Sequence, residues 1–155
     1  MQRVRDEIGR RHVVVATLLY NRHNLLDVYG PLEMILGANI RYSYINDAID
    51  IVTISTNNDK LVRPTGGPQT ITDHTIATIP EHIDVLWIPG GDGVADMLND
   101  KKVMEAVMVL IEKATVVCTV SNGAMVLAET GALKGKSATM HKAGFRDGLE
   151  KRYKV

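Results

Sequence analysis

Two apolar runs of strand length, each cut off by small residues, constrain this chain more than anything else in it. The first is Asp84–Gly93, DVLWIPGGDG, and the second is Ala114–Leu127, ATVVCTVSNGAMVL. Each is followed by residues at helical spacing. A continuous apolar run marks a strand covered on both faces, the normal state of a strand in a parallel sheet. Two such strands ending on one edge set their turns side by side, where open α/β sheets bind ligands. Function is therefore expected at those two turns.

The other segments support the same architecture. His12–Tyr20, HVVVATLLY, is a third continuous run, followed by a polar turn at Asn21–Asn24. Leu25–Gly37 reads as a helix, with Pro31 compatible only near its first turn, so Asp27 falls near the helix N-terminus. After a polar connection at Arg41–Asp50, Ile49–Ser55 reads as a strand. Leu61–Thr72, carrying Pro64, Gly66, Gly67 and Pro68, reads as a hairpin off the main sheet. Asp84–Pro89 and Thr115–Val120 are the next strands, with a helix at Lys102–Lys113 between them. In that helix Val103, Ala106, Val107, Leu110 and Ile111 form the apolar stripe, and Met104, Met108 and Val109 widen it, which suits deeper burial or a partner. Asn122–Thr130 is a helix stopped by Gly131, with a short strand at Ser137–Met140 and a last helix at Gly144–Arg152. Strands alternating with helices predict an α/β class protein with a doubly wound parallel sheet. A chain of 155 residues without a linker reads as one domain, with residues 1–11 as a surface tail.

Composition narrows the function classes. Lys plus Arg equals Asp plus Glu at 18 each, so no overall field recruits nucleic acid or an anionic membrane. No apolar run reaches the roughly 18 residues of a membrane span. The single cysteine, Cys118, excludes an intramolecular disulfide and a cysteine-rich zinc site. His12, His23, His74, His82 and His141 lack metal-ligand spacing and read as surface or structural residues, so neither metal nor cofactor is expected. The cytoplasm is the default compartment.

The PGGDG turn offers backbone N–H groups unobstructed by side chains, which suits an anion or a developing oxyanion. It lacks the GK[ST] ending of a phosphate loop and the G-x-G-x-x-G of a dinucleotide site, and a tight connection is the commoner use of such a turn. Ser121 stands where the second run meets its helix, with Asn122 and Gly123 permitting a tight backbone. It reads equally as a helix N-cap or as a nucleophile, and a serine without a neighbouring base is a poor nucleophile. Asp27 carries the same ambiguity between cap and site. Cys118, inside its strand, reads as a small core hydrophobe.

Three segments in order, LLYNRHNLLDVYGPLEM at Leu18–Met34, DVLWIPGGDG at Asp84–Gly93 and VSNGAMVLAETGALKGKSATMHKAGF at Val120–Phe145, resemble the ThiJ/PfpI superfamily with its class I glutamine-amidotransferase-like fold. LLDVYGPLEM points to the branch that holds isonitrile-hydratase-like proteins and the ligand domains of some AraC-type regulators. The resemblance implies a flavodoxin-like three-layer sandwich with a mostly parallel sheet, assembled as a homodimer. It also implies an elbow nucleophile, normally cysteine, hydrogen-bonded to an acid of the first helix. By motif position these are Ser121 and Asp27, with oxyanion or substrate-binding donors on the backbone of Gly90 or Gly91 and Asn122. His141 is a further candidate for proton transfer. Asn122 stands where protease-like members carry histidine, which argues against a Cys-His peptidase. Family members run on with further strand and helix, so the chain is expected to stop short of the full fold at Val155. The implied function is hydratase or hydrolase chemistry on a small molecule, the alternative being a catalytically silent binding or sensing domain. An AraC-type regulator is set aside, because the chain has no helix-turn-helix segment and no basic surplus.

Overall fold

A computed structural model describes residues 11–42, 47–140 and Tyr153. In chain order the elements are β1 (Arg11–Leu19), α1 (Leu25–Tyr42), β2 (Asp47–Ser55), β3 (Leu61–Val62), β4 (Thr70–Ile71) and β5 (His74–Thr75). They continue with β6 (Ile83–Ile88), α2 (Val94–Asn99), α3 (Lys101–Lys113), β7 (Ala114–Thr119) and α4 (Gly123–Glu129). Five strands form a parallel sheet in the order β5-β2-β1-β6-β7, and β3 and β4 make a separate antiparallel hairpin. The flavodoxin-like α/β reading therefore holds.

Strand alternation sorts the side chains into two layers. Ala16 and Leu18 of β1 and Leu86 and Ile88 of β6 share one core with Met104, Val107 and Leu110 of α3 and Val126 of α4. Leu19 of β1 faces the other way, into a second cluster with Val28 and Leu32 of α1 and Val62 of β3. Chain direction explains the split. β1 connects outward to β2 and β6 connects outward to β7, and right-handed crossovers in opposite directions put their helices on opposite faces.

The structure departs from the sequence reading at several points. The fifth strand is His74–Thr75, held beside β2 because the Asp73 carboxylate accepts from both the N–H and the hydroxyl of Thr53, at 2.8 Å each. Ser137–Met140 forms no strand. Ser137, Ala138 and Thr139 lie open to solvent, and within the segment Met140 is the anchored residue, against Ala124 and Ala128 of α4. Met104 is a core residue, which leaves Met108 and Val109 as the half-exposed pair on α3. Cys118 is only partly buried. The segment Gly144–Arg152 and nearly all of the 1–11 tail lie outside the described residues.

Helix α1 runs past Gly37 to Tyr42, and Pro31 sits inside it, beyond the first turn. Proline has no N–H, so the carbonyl four residues earlier loses its helical partner. That carbonyl belongs to Asp27, and the indole Nε1–H of Trp87 on β6 donates to it at 2.9 Å. A helix defect is thereby converted into a tie between α1 and the sheet. Trp87→Phe should cost about 1–3 kcal/mol, because it leaves a part-buried carbonyl unsatisfied. Pro31→Ala restores an N–H at the right position and should be more favourable in the Trp87→Phe background than in the parent. Urea denaturation of the four proteins measures this coupling, and equal effects of Pro31→Ala in both backgrounds would contradict it.

Candidate functional site

The sheet reverses its direction of winding between β1 and β6, which places a topological switch point at their carboxyl ends. Three turns meet there: Asn21–Asn24 after β1, Pro89–Gly93 after β6 and Val120–Asn122 after β7. Asn24 N–H donates to the Gly90 carbonyl at 2.9 Å, and His23 pairs with Gly91 in an isolated antiparallel bridge. Gly91 has φ +146°, and a Cβ there would lie 2.4 Å from the Arg22 carbonyl oxygen. Only glycine lets these two turns press together.

Gly90 is the centre of the arrangement. A Cβ on it would fall 2.5 Å from Asn122 Oδ1, 2.8 Å from Asp27 Oδ2 and 2.8 Å from Ser121 Cβ. The absent side chain therefore lets an acid of the first helix, the elbow serine and the following asparagine converge. Gly90 N–H donates to Asp27 Oδ2 at 3.1 Å. Gly91 N–H donates to Asn122 Oδ1 at 2.8 Å, and Asn122 Nδ2 donates back to the Gly91 carbonyl at 3.0 Å. Both glycine N–H groups read as open donors in the sequence thus have side-chain partners in the fold. Among the described residues the backbone N–H of Asn122 has none.

Ser121 holds a left-handed backbone at φ +53°. For a residue with a Cβ that conformation costs about 1–2 kcal/mol and persists only where the surroundings enforce it. The serine is not a helix cap: Asn122 occupies the N-cap position of α4, and no side-chain cap bond is made there. Ser121 lines a crevice of about 450 Å³ with Gly91 and Asp92, walled by Val94 and Leu98 of α2 and Met125 of α4. Asp27 does not line that crevice; its carboxylate is held at the Gly90 backbone. Among the described residues no cluster of His, Cys, Asp or Glu could hold a metal ion. The structure thus brings together Asp27, Gly90, Gly91, Ser121 and Asn122, while His141 lies outside the described residues.

Two supporting residues escape sequence reading. Tyr20, at the end of β1, is buried and donates to the Pro89 carbonyl at 2.7 Å, and burial followed by the Asp27 charge pushes its phenol far up. His23 sits in the polar turn yet is fully buried beneath the glycines. Its Nδ1 is 2.8 Å from the Tyr20 carbonyl oxygen, which fixes the proton on Nδ1 and leaves Nε2 an acceptor without a partner among the described residues. Burial lowers the imidazole's affinity for a proton, and the Tyr20 carbonyl only partly offsets this. Nothing in the polar string NRHN signals a buried ring.

The family model described as the DJ-1/PfpI family matches residues 14–154. Isonitrile hydratase of Pseudomonas putida is 26% identical over 130 residues, covering 83% of this chain and 52% of that protein. A ThiJ/PfpI family protein from Pseudomonas syringae superposes with a TM-score of 0.67 at 23% identity, over 81% of this chain and 48% of its own. Oxidized DJ-1 from Toxoplasma gondii gives a TM-score of 0.72 at 17% identity, over 91% of this chain and 73% of its own. The chain spans about half the length of the first two.

His23 makes the fold acid-sensitive in a definite direction. Below the ordinary imidazole value of 6.5 the unfolded chain takes up a proton that the folded site resists. Stability is therefore lost as pH falls from about 6.5 toward the lower folded value, and is fully present above that window. Thermal denaturation at about pH 7.5 and about pH 5.5 should show a larger loss for the parent than for His23→Gln. A parent and variant that lose stability in parallel would refute the assignment to His23.

Proposed function

Because the chain belongs to the DJ-1/PfpI family, we propose that it acts on a small molecule in the crevice at Ser121, as a hydratase- or hydrolase-type protein with serine at the nucleophile position. The observation that carries this reading is the left-handed backbone of Ser121 at a strand-to-helix turn beside a partly apolar crevice. Backbone strain at a turn facing a cavity is a common property of reactive elbows. In this reading Ser121 Oγ attacks or orients the substrate, Asp27 manages the proton, and the Asn122 N–H receives the developing negative charge beside Gly90 and Gly91. Likeness to an isonitrile hydratase supports addition of water to a small electrophile as the reaction class.

One observation favours a second reading, a catalytically silent binding or sensing domain. Among the described residues Ser121 Oγ is hydrogen-bonded to no base, while the Asp27 carboxylate is engaged by Gly90 N–H. A hydroxyl stays protonated without such a partner and is then a weak nucleophile.

We propose homodimerisation as well. Leu26 (75% exposed), Tyr29 and Met34 (77%) lie along α1 at helical spacing, and Ile71 (78%) projects from the hairpin. That hairpin is tied to α1 by a 2.5 Å hydrogen bond between the Tyr29 and Thr70 hydroxyls. Exposed apolar groups of this size in one region favour a protein partner over solvent. No helix of the described residues is long and apolar enough to cross a membrane.

Turnover of a panel of isonitriles, small aldehydes and simple amides tests the activity, using the parent, Ser121→Ala and Ser121→Cys. Activity in the parent that Ser121→Ala abolishes supports a working serine. Activity confined to Ser121→Cys identifies a thiol site that serine has silenced, and folded but inert proteins throughout favour the binding domain. For assembly, sedimentation velocity should give a dimer that Met34→Asp dissociates; a parent mass that stays monomeric at all concentrations removes the dimer.

A further inference from the structure

Asn122 turns its side chain back onto the facing turn and pairs with both backbone groups of one residue. The Gly91 N–H donates to Oδ1 at 2.8 Å and Nδ2 donates to the Gly91 carbonyl at 3.0 Å. The amide orientation follows from chemistry, since an N–H can only meet the oxygen and a carbonyl can only accept from the nitrogen. This double bond pair imitates the hydrogen-bonded pair of an antiparallel ladder. Asn122 is buried, and its Oδ1 lies 2.5 Å from where a Cβ of Gly90 would sit, so only glycine at position 90 leaves room for the amide. Gly90 N–H, the neighbouring donor, is taken by Asp27.

We infer that Asn122 is a positioning residue that clasps the Gly91 peptide and withholds its N–H from a ligand oxygen. The inference rests on reading this turn as an oxyanion site, and it adds that the site is closed in the free protein by its own side chain. With the clasp shut, the Asn122 N–H beside Ser121 is without an acceptor among the described residues, and the acidic residue lining the crevice is Asp92. Such a site accepts a neutral ligand and resists an anion. Opening the clasp would add the Gly91 N–H to the donor set.

The test is amide NMR on the parent and Asn122→Ala, with hydrogen exchange of Gly91 as one readout and titration with acetate as the other. The parent Gly91 amide should be protected. Asn122→Ala should speed its exchange by about fivefold or more, the equivalent of one hydrogen bond of about 1 kcal/mol. Acetate should then move the Gly91 resonance in the variant at concentrations that leave the parent unmoved. Unchanged exchange in Asn122→Ala overturns the clasp, and an equal or absent acetate response in both proteins overturns the withholding of the donor. Neither readout uses turnover, so a failure here is distinct from a failure of the activity proposed at Ser121. If Asn122→Ala does not fold, Asn122→Asp serves instead. Its carboxylate still accepts from Gly91 N–H but cannot donate to the carbonyl, so the amide should stay protected and acetate should stay excluded. A Gly91 amide that exchanges freely in Asn122→Asp, or is unprotected in the parent, overturns the inference.

Discussion

Two bonds to Asp27 hold the start of the first helix onto the end of the third long strand. Its carbonyl accepts from the Trp87 indole, and its carboxylate accepts from Gly90 N–H. The first bond exists because Pro31 removes the helical partner of that carbonyl. An unsatisfied carbonyl in a part-buried position is costly, so the tryptophan donor is selected by the same residue that disrupts the helix. The second bond places a carboxylate against a glycine whose missing side chain admits Ser121 and Asn122. Shift Asp27 and both the helix register and the packing of the elbow must change.

What the sequence discloses is whatever depends on periodicity. Continuous apolar runs revealed β1, β6 and β7, and the proline and glycine content of Leu61–Thr72 revealed the hairpin. What it conceals depends on partners distant in the chain. Pro31 is a helix breaker by local rules, and only Trp87, far along the sequence, makes its position acceptable. His23 stands in a polar turn, and only the close approach of Gly91 buries it. His74–Thr75 is too short to show alternation, and Asp73 bonding to Thr53 is what brings it to the sheet. Within the site, motif order points to Asp27, Gly90, Gly91, Ser121 and Asn122 as one group. It gave no sign that side chains of that same group would engage the glycine N–H groups.

Among the described residues the two faces of the sheet are unevenly covered. Helices α2, α3 and α4 contribute to one side, and α1 lies on the other, over β1 and β2. Register places Val116 opposite Val85 and Cys118 opposite Trp87, on the α1 side but beyond its reach. Val116 is 49% exposed as a result, and Cys118 is only partly buried. The same asymmetry leaves the Trp87 indole only part-buried, although it holds Asp27. Packing on this face therefore bears on the site through Trp87, even though no residue of the face lines the crevice.

Serine at the elbow separates two properties that a cysteine would combine. The left-handed backbone at position 121 presents a side chain to the crevice whichever residue stands there. A helix N-terminus stabilises a thiolate, because the thiol pKa lies within reach of neutral pH. A hydroxyl gains almost nothing from the same field, since its pKa is too high for a fraction of a charge to matter. In the proposed reading the presentation is kept without the activation, and a serine nucleophile would need a base or a substrate reactive enough to do without one. Asp27 is the nearest carboxylate to the elbow in the geometry around Gly90, but its oxygen already accepts a backbone proton. That bond occupies one oxygen of the carboxylate and holds it against the Gly90 backbone. Structural anchoring and proton transfer would therefore compete for the oxygens of one residue, and the bond the structure makes is the anchoring one.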